Sequence, residues 1–406
     1  MKIRSITCFI NPALIDYEMI LKKTNIFVAN AKCQFQEAGF EVQSTRLAST
    51  PFTDYFPKDH PDRWAALAKQ NEEQAVQAGF NYLSLGPIFP DQIPDFHSIL
   101  DMLAATRNVF LSAIIADPSF GISLPAIQQT ACIIRDCAGI EKDGFANLRF
   151  AALANVKPFT PFFPAAYSLG DQPCFALAIQ AADDVLNIFQ QAASLNQARQ
   201  DLLDMLQKQT SLIEEISNSL DQEFRVEFKG IDLSPAPFPK DWCSIGGALE
   251  ALGLHSLGNP GSLTAAAFLA DILQHGNWKK TGFNGIMLPV LEDSILADRS
   301  GQGTLNIYDL LLYSAVCGTG LDTIPLPGDI HSEEIEPLLL DIAALAIRLD
   351  KPLTARLMPI PGKQAGDITE FQFDFFANGR VMDYHHTTLQ GKFKSSETFL
   401  LTPRKL

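Results

Sequence analysis

Short runs of β-branched and aromatic residues recur along this chain. Each leads into a loop rich in Pro, Gly or acid and then into a stretch with apolar residues at i, i+3, i+4 spacing. Ten runs have strand character: residues 3–10, 41–48, 81–86, 109–116, 148–154, 174–180, 225–231, 285–290, 322–327 and 353–360. Runs such as "VFLSAIIA" do not alternate polar with apolar, which predicts strands buried on both faces. Segments such as "PAIQQTACIIRDCAG" and "SEEIEPLLLDIAALAIRLD" carry helical spacing. The alternation predicts an α/β protein in which parallel strands are joined by right-handed crossovers and covered by helices. Residues 155–173, which begin "NVKPFTPFFPAAYSLGD", hold too many prolines for much helix. Ten units fit an open doubly wound sheet or a closed barrel, and in both ligands gather beyond the carboxyl ends of the strands.

Composition narrows the field. With 406 residues and 47% hydrophobic content the chain can bury a sizeable core. No Ser/Gly-rich or charged linker divides it, so one domain over residues 1–406 is expected, with a polar tail (370–406) appended. A net charge of −15, with 31 scattered Lys and Arg, argues against nucleic acid and for small-molecule ligands. The opening "MKIRSITCFINPALIDYEM" lacks a signal-like apolar stretch, and the greasiest run, "LLLDIAALAI", is too short to span a bilayer and carries Asp341. A cytoplasmic protein with no membrane partner is the expectation. The seven cysteines are odd in number and form no CxxC pair, so neither a disulfide framework nor a zinc knuckle is indicated.

Three successive predicted strands run into loops of one character: "LPVLEDSILADR", "IPLPGD" and "MPIPGKQAGD". Each joins stiffening prolines to carboxylates, namely Glu292 and Asp293, then Asp329, then Asp367, and "GIDLSPAPFP" with Asp232 ends an earlier strand the same way. Four such loops on one rim predict a site. Prolines also end strands and acids also cap helices: Asp329 precedes "HSEEIEPLLL", and Asp293 suits an N-cap. Cys317 closes the helical stretch "NIYDLLLYSAV", where Gly318 and Gly320 can stop a helix. The negative end of the helix dipole opposes a thiolate there, so activation would take a cation such as Arg299, Arg356 or Lys363. Otherwise Cys317 is a buried structural residue. In "GLHSLGNPGSLTAAAFLADIL" the free N–H groups around Ser262 could take an anion, or Ser262 could simply cap a turn. Ser244 in "KDWCSIGGALEALG" suits a helix cap. His385 and His386 form the one histidine pair and fall in the polar tail. No HExxH, Ser–His–Asp or nucleotide fingerprint occurs. A metal held by carboxylates such as Glu292 and Asp293 would be Mg²⁺, Mn²⁺ or Ca²⁺ in preference to Zn²⁺.

"SIGGALEALG", "GSLTAAAFLADIL", "GFNGIMLPVLEDSILADR", "CGTGLDTIPLPGD", "RLDKPLTARLMPIPGKQAGD" and "NLRFAALANVKPFTPFFPAAY" resemble the blocks of an uncharacterised prokaryotic family, domain of unknown function 711. The resemblance covers nearly the whole chain. It implies a ten-stranded (β/α) barrel like that of glycyl radical enzymes, here with a short C-terminal β extension. It also implies a small ACT-domain protein as partner, since members are often encoded beside one, and amino-acid-related ligands. Glycyl radical enzymes store a radical on the glycine of a C-terminal R-V-x-G-Y loop. This chain reads Arg380-Val381-Met382-Asp383-Tyr384, with aspartate in that place. Aspartate cannot give the α-carbon radical the planar stabilisation of glycine, so no glycyl radical is expected even if Cys317 stands where the radical-accepting cysteine would.

Two functional readings follow. In the first the protein is a cytosolic enzyme acting on a small anionic or amino-acid-like metabolite. Asp322, Asp329, Asp367 and Glu292 would serve as acid–base groups or ligands of a hard metal, and Cys317 as a nucleophile. Arg356 and Lys363 would hold a carboxylate, with Asp232, Arg299 and Ser262 also in contact with substrate. In the second the same rim binds a metabolite without turnover, as a regulatory protein on a retired enzyme fold. A homo-oligomer is compatible with either.

Overall fold

The computed structural model describes residues 1–385 and 387–404, with the backbone alone over 93–95. Nine of the ten runs form strands: β1 (Lys2–Ile10), β2 (Thr45–Ser49), β3 (Tyr82–Ile88), β4 (Val109–Asp117), β6 (Phe150–Ala154), β7 (Cys174–Gln180), β8 (Glu227–Ala236), β9 (Gly320–Pro327) and β10 (Leu353–Ile360). The three-residue β5 (Gly121–Ser123) and two-residue β11 (Thr398–Phe399) carry too little pattern to be read from sequence. The helices are α1 (Tyr17–Glu37), α2 (Trp64–Gln77), α3 (Ser98–Ala105), α4 (Leu124–Cys137), α5 (Ala182–Gln191), α6 (Leu195–Phe224), α7 (Ile245–Ala251), α8 (Ser262–His275), α9 (Ser294–Gly301), α10 (Ile307–Ser314) and α11 (Ser332–Arg348). No helix among the described residues is long and apolar enough to cross a membrane.

The result is a mixed α/β protein built on one large sheet, ordered β8-β7-β1-β2-β3-β4-β6-β10-β9, with β5 and β11 paired beside β4. The expectation of an all-parallel sheet does not hold. β1, β2, β3, β4 and β6 run parallel, β7–β8 and β9–β10 are parallel pairs, and the two groups meet antiparallel at β1/β7 and β6/β10. The cause lies in residues 155–173. A parallel continuation needs a crossover, usually a helix, to carry the chain back to the other end of the sheet. This proline-rich coil makes no such return, and β7 starts with Cys174 beside Phe9, near the end of β1. The N-terminal ends of one group therefore lie at the same end of the sheet as the C-terminal ends of the other.

The coil also fills the inner face of the sheet. Residues 160–168 are buried, and the Ser84 hydroxyl donates to the Ala166 carbonyl at 2.6 Å. Phe163 packs with Phe9 and Phe110, and Phe162 with Ile114, Leu153 and Phe283. Each buried ring is worth about 1.5–3 kcal/mol. Residues 285–290, expected as a strand, form no ladder. Two isolated parallel bridges tie residues 279–290 to the sheet edges, Lys280 to Ile231 of β8 and Pro289 to Asp322 of β9.

Candidate functional site

A cavity of about 320 Å³ opens where the N-terminal ends of β1 to β4 meet the chain after Val290 and the segment that follows β10. Ligand sites of this kind start at roughly 300 Å³. Arg4 of β1, Arg46 of β2, Tyr82 of β3 and Phe110 of β4 come from strand starts. Arg356 comes from mid-β10, Glu292 from the stretch after Val290, and Phe162 and Phe163 from the inner coil. Phe145, Phe373 and Phe375 stand at the outer end, the last 38% exposed. A second, much narrower space of about 20 Å³ shares Arg4, Arg46, Phe162 and Glu292 with it and continues to Asp232 and Asp322. That is room for about one water.

Charge in the cavity is organised around Glu292. One oxygen accepts from Arg4 and the other from Arg356, both at 2.7 Å. Arg356 also donates through Nε to Asp322 at 2.6 Å. A bulge in the β1–β7 ladder between Ile3 and Ser5 falls at Arg4. Burial works to raise the Glu292 carboxyl, but the Arg356 and Arg4 guanidiniums outweigh it and hold the group below its ordinary value of 4.5. Asp322 goes the other way. Burial, with Glu292 adding to it, pushes its carboxyl up from 3.8 against the pull of Arg356. Two carboxyls joined through one guanidinium are thus driven apart, the pattern that separates a proton holder from a permanent anion.

Arg46 stands outside these ion pairs. It is half-buried, donates through Nε to the Ser44 hydroxyl at 3.1 Å, and lies over Phe163 (5.2 Å) and against Tyr82 (5.9 Å). No carboxylate pairs with it among the described residues. Burial, then the nearby Arg4 guanidinium, push its pKa down to about 9, which leaves it charged at neutral pH. A guanidinium with its fork free at the wall of a cavity is a receptor for a carboxylate or phosphate.

Of the residues singled out in the sequence, Glu292, Asp322, Arg356 and Asp232 gather at these two connected spaces. Asp232 is fully committed there: it accepts from the Ser234 hydroxyl (2.6 Å) and the Phe283 and Asn284 amides (2.9 and 3.0 Å), pinning residues 283–284 to β8. The remaining candidates lie elsewhere. Asp329 and Asp367 are exposed, because each follows the end of its strand by enough residues to clear the sheet. Gln364 contacts both, through its side chain to Asp329 and its amide to Asp367. Lys363 pairs with Glu370, and Arg299 with Glu250 and Asp298. Ser262 closes a turn, accepting from the Gly258 amide and donating to the Asn259 carbonyl. Cys317 is buried and precedes β9, the end of the strand away from Asp329. The cation beside it is Lys351, which donates to the Ser314 and Cys317 carbonyls and is none of the three expected.

Asp293 is the N-cap of α9, accepting from the Ile295 and Leu296 amides. It also receives the Ile245 and Gly246 amides and the Ser244 hydroxyl at the start of α7. With Glu292 held by arginines and Asp293 by N–H groups, this pair does not fit a hard cation. Among the described residues no three His, Cys, Asp or Glu side chains gather into a metal-holding group. His385 lies against Tyr308 of α10, and His386 lies outside the described residues.

Arg4, Arg46 and the aromatic walls escaped the sequence reading. The signal for Arg46 was present, as the lone cation in the predicted strand "EVQSTRLA". Phe162 and Phe163 sit in the coil noted for its prolines and as a family-like block, with no signal for a cavity wall.

Comparison with known proteins agrees with the blocks noted in the sequence. The family model described as "Uncharacterised ACR (DUF711)" matches residues 1–378. The chain belongs to this family. Similar to this DUF711 chain are UPF0210 proteins of Pyrobaculum aerophilum (33% identical over 270 residues) and Pyrobaculum arsenaticum (33% over 300). These alignments take in 62% and 71% of the chain, and 57% and 65% of the two relatives' own lengths. A UPF0210 protein of Methanopyrus kandleri is 28% identical over 366 residues, covering 86% of the chain and 80% of the relative. The whole cavity lies within the matched DUF711 region, whereas β11 falls beyond it.

Proposed function

We propose that this chain binds a small anionic metabolite in the cavity and acts on it by proton transfer. The observation that carries the reading is Arg46, a half-buried guanidinium at the cavity wall with no carboxylate partner among the described residues, beside Arg4 and Arg356, whose charges Glu292 already answers. Arg46 receives the anion. Asp322 is the acid–base group: it sits in the narrow inner space, and the one bond it takes from a charged group, Arg356 Nε, leaves its other oxygen open to that space. Arg356, itself held by Glu292, orients Asp322. This reading uses neither Cys317, which does not line the cavity, nor a metal.

The geometry of the sheet also supports closure. We propose that residues 279–290 act as the tenth strand of a barrel, because they touch the two edge strands, β8 and β9, on either side. The two spaces described above would then lie in its mouth and lumen.

Thermal-shift screening against small carboxylates and phosphates tests the binding half, since a ligand specific to the native state raises the midpoint. The expected result is a stabilising anion whose effect is lost in Arg46→Gln while the variant stays folded. An unchanged shift in that variant removes Arg46 from the site. For the catalytic half, Asp322→Asn is expected to bind the same anion and yield no product. Arg356 stays paired with Glu292 in this variant, so the fold is retained. If wild-type protein binds the anion and no product forms, the non-catalytic regulatory reading takes its place.

A further inference from the structure

We infer that the ligand of this cavity is an aryl-bearing carboxylate that carries no ammonium group, an inference that rests on Arg46 being the anion receptor. The aromatic residues define the body of the ligand. Along one wall Phe110 meets Tyr82 and Phe163 edge-on, with centroids 5.5 and 5.3 Å apart, and Arg46 lies over the latter two rings. Phe162 lies beneath the Arg356 guanidinium at 5.5 Å. At the mouth Phe373 packs on Phe145 and Phe375 at 5.1 and 5.3 Å. Rings on several sides favour a flat apolar body, which gains edge-to-face contacts beyond simple burial. The 320 Å³ accommodates about ten groups of water size at roughly 30 Å³ each, close to a phenyl ring with a short acid chain.

The charged groups define the head. Five arginines line the cavity: Arg4, Arg46 and Arg356, with Arg149, which is paired to Glu141, and the exposed Arg107. Glu292 has both oxygens on arginine, and Asp232 has both on amides and a hydroxyl. Asp322 lies in the inner space, bonded to Arg356. Among the polar side chains of the wall, the Asn81 carbonyl oxygen is occupied by Thr45, and Gln43 is bonded to Gln180. An ammonium beside the carboxylate would find in the cavity only the doubly bonded Glu292, since Asp322 opens to the inner space with room for about one water, and it would face like charge from Arg46. The amino-acid-like ligands implied by the family resemblance are disfavoured on this ground, and amine-free acids are favoured.

Isothermal titration with four probes tests this: 3-phenylpropionate, 3-cyclohexylpropionate, propionate and L-phenylalanine. The expected order has 3-phenylpropionate binding about 10-fold or more tighter than each of the others. Phe375→Ala, at the exposed rim where folding is not at risk, should weaken 3-phenylpropionate several-fold and leave propionate unchanged. L-Phenylalanine binding as tightly as 3-phenylpropionate overturns the amine-free head. Equal binding of the cyclohexyl acid, or of propionate, overturns the aryl body. In those cases loss of binding in Arg46→Gln shows that the anion site itself still stands. If all four probes fail to bind, or bind alike in wild type and Arg46→Gln, the anion-receptor reading falls together with the inference.

Discussion

Glu292 and Arg46 sit a few side chains apart and should respond to substitution in opposite ways. Glu292→Gln leaves the buried Arg356 and the half-buried Arg4 short of their counter-charge and is expected to cost about 3 kcal/mol, read as a lowered denaturant midpoint. Because Arg356 and Arg4 hold the Glu292 carboxyl below its ordinary 4.5, its stabilising contribution is complete above pH 4.5. It is lost as the pH falls through the depressed folded value. Wild-type stability should therefore drop on acidification below pH 4.5, and Glu292→Gln should flatten that drop. Arg46, in contrast, is a half-buried cation without a counter-ion, so Arg46→Met should leave the ligand-free melting temperature unchanged or higher while abolishing anion binding. Arg46→Lys should not restore binding, since an ammonium neither forks onto a carboxylate nor stacks on Phe163 in the same way. The sequence pointed to Glu292 through a proline-stiffened loop, to Asp322 as an acid–base group and to Arg356 as a cation. It could not separate them from Asp329 and Asp367, which have equivalent local sequence. What separates them is depth along the strand, and that depends on the stagger between strands far apart in the chain.

Helices and strands were legible in proportion to how far their burial repeats. β4 and β10 are apolar on nearly every residue because helices cover the outer face of the sheet and the coil and aromatic cavity lining cover the inner. The direction of β7 was not legible, since it depends on what a helix-free connection fails to do. Asp293 was legible as a cap, but its second duty at α7 was not, because Ser244 lies 49 residues away. That duty makes a prediction for two elements at once. Asp293→Ala removes the side-chain partners of four amides at the starts of α7 and α9 and should cost about 2–4 kcal/mol. Amide exchange should quicken at Ile245, Gly246, Ile295 and Leu296 together, and quickening confined to α9 would show that the α7 contacts are idle.

At the scale of the molecule, the family match ends at residue 378; beyond it Val381, Met382 and Tyr384 are still buried, and residues 391–404 strap the outside of the fold. Thr398 and Phe399 pair antiparallel with Ser123 and Ile122 of β5. Lys394 reaches Glu336 of α11 at 3.0 Å, and the Arg404 amide reaches the Arg348 carbonyl at 2.9 Å. Gly121 permits this approach, as a methyl there would strike the Phe399 carbonyl and its φ of +95° is unfavourable for other residues. Ending the chain at residue 390, or making Gly121→Ala in the full chain, should lower the melting temperature by a few degrees and leave far-ultraviolet dichroism nearly intact. A collapse of the fold in either case would make the strap part of the core. The opposite kind of attachment holds residues 279–290. They meet β8 and β9 through single bridges, and Gly285 crosses Gly318 backbone to backbone, where no side chain could fit. The molecule thus has a seam where its neighbours are fully laced, closed by two bridges and by side-chain bonds such as those of Asp232 to the Phe283 and Asn284 amides and of Ser234 to the Gly285 amide, and Met287, Pro289 and Glu292 of the site stand on or next to it. A guest too broad for the opening would have to part both the bridges and the Asp232 and Ser234 bonds, while every laced strand stayed in place.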